Sequence, residues 1–136
     1  MALIDIVEVS RRTGLAASTL RYYEAIGLIE PLGRRGLRRT YDPVVLDRLS
    51  LIALGRAAGF SLAEIGGMLG PDGAFRIDRG ALAARADAID RTIRKLAALR
   101  DGLRRAALCR APSHAACPTF RRLRMAALGR AARAKR

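Results

Sequence analysis

Along residues 1–70, hydrophobic positions recur at helical spacing in short blocks, and each block runs out at a glycine. Ile6 and Val9 in the first block and Leu20 and Tyr23 in the second can face one another across Thr13-Gly14-Leu15. That predicts a helix over 4–12, with Asp5 and Glu8 near its positive end, and a second over 16–26, stopped by Gly27. Between Glu30 and Tyr41 the period shortens to alternation broken by Pro31, Gly33 and Gly36, the signature of a two-stranded hairpin. Helical spacing returns after Asp42-Pro43, where aspartate can cap free amides and proline fits the first turn. Val45, Leu46, Leu49, Ile52 and Leu54 are the expected buried face of this third helix. Gly59 closes it, and Ser61 with Glu64 three residues on makes a capping box for the next, whose inward positions are Ile65, Met68 and Leu69.

Gly70-Pro71-Asp72-Gly73 then breaks the chain and marks a domain boundary. Beyond it Leu82, Ala86, Ile89, Ile93 and Leu96 alternate at spacings of four and three, a coiled-coil seam that Arg100 interrupts and Leu103 resumes. So long a stripe cannot be buried against so small a head, whereas the same helix of a second chain can cover it. The alternative is a helix folded back on its own head. Pro112 and Pro118 interrupt the pattern again, Phe120, Leu123 and Leu128 suggest a short closing helix, and residues 129–136 read as a frayed basic tail. The expected fold is mainly α. A winged helix-turn-helix head occupies 1–70, a linker and dimerisation helix 71–108, and a cysteine-containing loop, short helix and tail 109–136.

The outward positions of the second helix carry the first candidate chemistry. Ser18, Thr19, Arg21 and Tyr22 look away from the small core, and arginine can donate twice to guanine while hydroxyls grip phosphates. The plain alternative is a helical hairpin with a solvated face. The hairpin that follows argues against it: Arg34, Arg35, Arg38 and Arg39 lie in it with no acid between Pro31 and Tyr41, so it suits a wing along a phosphate backbone. Tyr41, at its close, completes the candidate DNA contacts. Glu24, three residues after Arg21, is expected to pair with that arginine and order the helix.

Charge supports a polyanionic partner: 26 lysines and arginines against 12 acids give the 136-residue chain a formal +14. Double-stranded DNA is the first candidate and an anionic membrane surface the second. Only Lys95 and Lys135 are lysines, and heavy use of alanine and arginine also fits a GC-rich genome, which weakens the charge argument. From Gly102 onward there are ten basic residues and no acid, a second DNA-facing surface or, the preferred reading, a solubilising tail. Apolar runs are too short and too often broken by arginine to span a membrane, and the N-terminus lacks a signal-peptide pattern, so a cytoplasmic protein is expected. No nucleophile, base and orienting group stand together, which disfavours an enzyme.

The succession Thr13-Gly14-Leu15, then Leu20-Arg21-Tyr22-Tyr23-Glu24-Ala25-Ile26-Gly27-Leu28-Ile29, then a wing closing at Arg39-Thr40-Tyr41, resembles the MerR family of bacterial transcription regulators. The likeness continues through Leu46-Asp47-Arg48-Leu49 and the stretch from Ala58 to Ile65, then more loosely to the end. The resemblance implies a homodimer with antiparallel helices, seated on a palindromic promoter with an overlong spacer, that bends and untwists DNA for RNA polymerase on sensing its signal. Leu37 departs from it, since many members carry an aromatic after the wing glycine, and so does the additional arginine before Thr40.

Cys109 and Cys117 are the only cysteines, eight residues apart around a proline-containing loop. Both thiolates could reach one ion, act as a redox pair, or merely pack. Their spacing resembles the metal-binding loop of copper- and zinc-responsive members, which implies a thiophilic ion, either copper(I)-like or a soft divalent metal. Ala74 stands near the place where those members carry a further cysteine or serine. A divalent ion would then need His114 or water as a third ligand, whereas a two-coordinate monovalent ion would not, and Arg110 could offset its negative charge. Remaining alternatives are a thiol redox-responsive regulator, an architectural DNA binder without effector, and a peripheral membrane protein.

Overall fold

The computed structural model describes residues 2–71 and 74–134. Its first element is a strand where a helix was expected: β1, Ile4–Asp5, pairs antiparallel with Tyr41 and Thr40. Asp5 then becomes the cap of α1, Ile6–Thr13, its carboxylate accepting the Glu8 amide at 2.9 Å. At the other end Gly14 takes φ 74° and donates to the Ser10 carbonyl at 2.9 Å, a left-handed closure that a β-carbon would strain. Ser10 Oγ, donating to the Leu15 carbonyl at 2.6 Å, and Thr13 Oγ1, donating to Val9 at 2.8 Å, fasten the turn into α2, Ala17–Ala25.

The hairpin forms as expected, from β2, Gly33–Arg35, and β3, Arg38–Tyr41, turning at Gly36 with φ 65°. With β1 it makes a three-stranded sheet in the order β1-β3-β2. Asp42 caps the turn that precedes the third helix, accepting the Val44 amide at 2.9 Å, so α3 itself spans Val45–Ala57. Leu54 is exposed and Leu51 buried, the reverse of the expected face. Leu54 stands nine residues beyond Val45, about 180° around the helix axis, so it points away from the core. The Ser61–Glu64 capping box is present at α4, Leu62–Met68.

Ile6, Val9, Leu20, Leu28, Ile29, Tyr41, Leu49, Ile52, Phe60 and Ile65 make one apolar core, with Tyr23 packed at its edge. Of the four residues at the expected break, Asp72 and Gly73 lie outside the described residues. On either side the chain doubles back: Gly70 N–H donates to the Ala74 carbonyl at 2.8 Å and Arg76 N–H to Met68 at 2.7 Å. Arg48 ties this turn to the core by donating to the carbonyls of Gly70, at 2.8 Å, and Leu28, at 3.2 Å. The unit continues to Arg85, whose guanidinium lies 4.9 Å above the Phe60 ring.

A second compact unit spans Ala86–Arg136. It takes up most of α5, Arg79–Ala107, a 3-10 turn at His114–Ala116, and α6, Pro118–Ala134. Leu123 packs onto Gly102, where a β-carbon would come within 2.7 Å of its methyl, so any larger residue would force Leu123 to shift. The short helix and frayed tail expected here form a single helix through Ala134; Lys135 and Arg136 lie outside the described residues. Alanine and arginine are strong helix formers, and one glycine, Gly129, costs about 1 kcal/mol against them. Among the described residues no helix is long and apolar enough to cross a membrane.

Candidate nucleic-acid interface and thiol loop

Ser18, Arg21 and Tyr22 are exposed on α2 and Thr19 is half-buried, so the second helix presents its expected face. The wing is less uniform. Arg34 stands opposite Arg39 and Arg35 opposite Arg38, an arrangement of like charges that weakens a ladder unless something answers it. Two acids outside the hairpin do so. Arg38 pairs with Asp5 at 3.5 Å, and Arg39 Nε donates to Glu24 Oε1 at 2.9 Å. Among the described residues Arg34 and Arg35 make no ion pair, so their charge is unanswered within the head. The Glu8 amide first, then Arg38, holds the Asp5 carboxyl below its ordinary value.

Two expectations are corrected here. Tyr41 is fully buried and cannot reach DNA; its hydroxyl donates to Glu24 Oε2 at 3.0 Å. Glu24 joins Arg39 and Tyr41 of the wing, and among the described residues no ion pair links it to Arg21. One carboxylate thus ties α2 to β3 and fixes the angle between the helix and the wing, while Arg21 stands outside this network. Nothing in the local pattern reveals this pairing, because its partners lie 15 and 17 residues away.

Burial first, then the bond to Glu24, pushes the Tyr41 phenol up to about 12. Its unfolded value is about 10, so the neutral phenol stabilises the fold below that pH, and the contribution is lost as pH rises toward 12. Tyr41→Phe is expected to cost about 2 kcal/mol at neutral pH and to abolish this part of the alkaline decline. Urea unfolding of both proteins across that interval measures it; parallel curves would refute the assignment.

In the second unit Cys109 is half-buried just beyond α5, and Cys117 is buried at the start of α6. The Cys117 thiol is held below its ordinary value, chiefly by a hydrogen bond from Cys109, then by the Phe120 and Thr119 amides and by Arg122. Both thiols thus lie near the start of α6, where a helix N-terminus favours thiolate. Arg122, in place of Arg110, is the cation acting on it. His114 turns its ring against Phe120, 5.7 Å between centroids, and among the described residues no three His, Cys, Asp or Glu side chains gather into a metal-binding group. A pair of thiols without a third donor suits a two-coordinate soft monovalent ion better than a tetrahedral one.

Comparison with known proteins identifies the family. The model for MerR HTH family regulatory proteins matches residues 4–70, and that for the MerR DNA-binding region matches residues 46–106. The regulator HmrR of Rhizobium leguminosarum bv. viciae is 36% identical over 101 residues, covering 71% of this chain and 78% of HmrR. A SoxR homolog of Chromobacterium violaceum, a transcriptional activator, is 46% identical over 66 residues, which are 48% of this chain and only 45% of that protein. Among solved structures, the regulator PbrR691 of Ralstonia metallidurans CH34, in complex with lead(II), superposes with a TM-score of 0.57 at 28% identity, over 88% of this chain and 98% of that one.

Proposed function

Because the chain belongs to the MerR family of DNA-binding transcription regulators, which are not enzymes, we propose that it acts as a homodimer on a palindromic promoter and changes DNA twist when a thiophilic ion binds at Cys109 and Cys117. The observation that carries the reading is that Ser18, Arg21 and Tyr22 stand exposed on α2 and Arg34 and Arg35 on the wing, while Glu24 ties that helix to β3. Untwisting acts through base pairs that the protein need not touch, and RNA polymerase is the partner that profits from it. Dimerisation is supported by α5, where Leu82, Ile89, Ile93, Leu96 and Leu103 all stand exposed in the single chain. A solvated stripe of large apolar side chains at this spacing calls for a second helix. The effector assignment is supported by the contact between the two thiols and by the lowered pKa of Cys117. The same contact favours one second reading, a dithiol that responds to oxidation.

Arg21 and Arg34 separate the two modes of contact. Arg21→Ala is expected to cost about 1–3 kcal/mol at the specific operator and to narrow its advantage over random duplex, because a base contact is lost. Arg34→Ala is expected to weaken operator and random DNA alike and to reduce the salt slope by about 1, since one fewer phosphate is neutralised. Titrations at several salt concentrations read both. Unchanged discrimination in Arg21→Ala would mean that a different helix enters the groove.

A further inference from the structure

The positive charge of this chain is concentrated outside its winged head. Residues 86–136 contain 14 lysines and arginines and only three acids, Asp87, Asp90 and Asp101, a formal +11; residues 1–85 contain 12 against nine acids, a formal +3. Asp90 is taken by Arg94 at 3.2 Å and Asp101 by Arg100 at 3.1 Å. No acid follows Asp101, and among the described residues no arginine from Arg104 onward makes an ion pair. α6 carries five of these arginines, all exposed. Arg124 is occupied over the Phe120 ring at 5.8 Å and Arg122 brushes Thr119 at 3.5 Å, while among the described residues Arg121, Arg130 and Arg133 make no side-chain hydrogen bond. A flexible tail would let such charges spread apart. A helix holds them in place, so their mutual repulsion persists until a polyanion relieves it.

We propose that α6, through Arg122, Arg130 and Arg133, which fall within about 80° of one another around the helix, is a second, sequence-independent surface for the phosphate backbone of double-stranded DNA. Arg122 and Arg133 are eleven residues apart, about 16 Å along a helix, whereas duplex DNA presents a charge every ~1.7 Å of its axis. A membrane surface is disfavoured by the distribution around the helix. At about 100° per residue, Arg121 projects between Met125 and Leu128, the exposed apolar residues of α6, so no continuous apolar face is left to enter a bilayer. Duplex DNA is also the polyanion that the family's head already engages, and linkage within one chain raises its local concentration. The inference rests on that reading only for the choice of polyanion.

The test uses the full-length protein and random-sequence duplex, with affinity followed against salt concentration. Replacing Arg122, Arg130 and Arg133 by glutamine is expected to lower the slope of log K against log salt by about 3, and lysine at the same three positions to restore it. Arg34→Ala with Arg35→Ala in the wing should take away about 2 more, independently. A slope unchanged by the glutamine variant overturns the proposal and leaves the arginines as solubilising charge. So does binding to phosphatidylserine vesicles that the glutamine variant loses while its DNA slope stays intact. Should the triple variant lose helix by circular dichroism, Arg130→Gln with Arg133→Gln decides, with an expected drop of about 2. A fall in slope from α6 variants with none from wing variants would instead count against the head surface and leave this one standing.

Discussion

Replacing Ile89 and Ile93 together by glutamate is expected to convert a micromolar solution of dimer into monomer. Both side chains lie exposed on one face of α5, with Leu82 seven residues before Ile89 and Leu96 three after Ile93. In a paired seam each carboxylate would be buried without a partner, at about 3 kcal/mol or more. Discounted by half for a seam whose edges stay wet, the four carboxylates of a dimer still cost about 6 kcal/mol, a rise in dissociation constant of roughly 10⁴. Operator affinity should collapse toward that of a half-site, while the head, whose core contains neither residue, keeps its fold. Sedimentation of wild type and variant decides the matter. A wild-type monomer at micromolar concentration would remove the seam and, with it, the palindromic operator.

Either Cys109→Ser or Cys117→Ser is expected to abolish activation by a soft metal ion and leave operator binding intact. Losing a residue that only supports a ligand costs about 10–100-fold in affinity, so losing one of two ligands should cost more. Titration of reduced protein with copper(I), silver(I), zinc and lead, followed by transcription with each, reads binding and response separately. The lowered Cys117 pKa gives the pH dependence its sign: thiolate, and hence ion binding, persists to lower pH than an ordinary thiol would allow and weakens only as Cys117 protonates. His114→Ala should be nearly silent for a two-coordinate ion, because the ring is engaged with Phe120. Equal, metal-independent transcription by wild type and the double serine variant would reduce the cysteines to packing residues. Activation by peroxide, lost in either variant, would favour the dithiol reading instead.

What the sequence by itself determined is everything carried by near neighbours. The two helices meeting at Gly14, the hairpin turning at Gly36, the capping box at Ser61 and Glu64 and the apolar period of α5 each depend on residues within about two helical turns, where spacing alone dictates which side chains share a face. The exposed Ser18, Arg21, Tyr22, Arg34 and Arg35 were legible for the same reason. Tertiary structure decided the rest. Ile4 and Asp5 became a strand because β3, some 35 residues on, offered an edge to pair with; Tyr41 went inside because Glu24 could take its hydroxyl; Leu51 displaced Leu54 because the third helix turned that side toward its neighbours. The last helix outran its apolar pattern because propensity and the anchor of Leu123 on Gly102 suffice to hold it, leaving its arginines standing in solvent. In each case the deciding partner lies far along the chain, and periodicity, which compares a residue only with its near neighbours, contains no term for it.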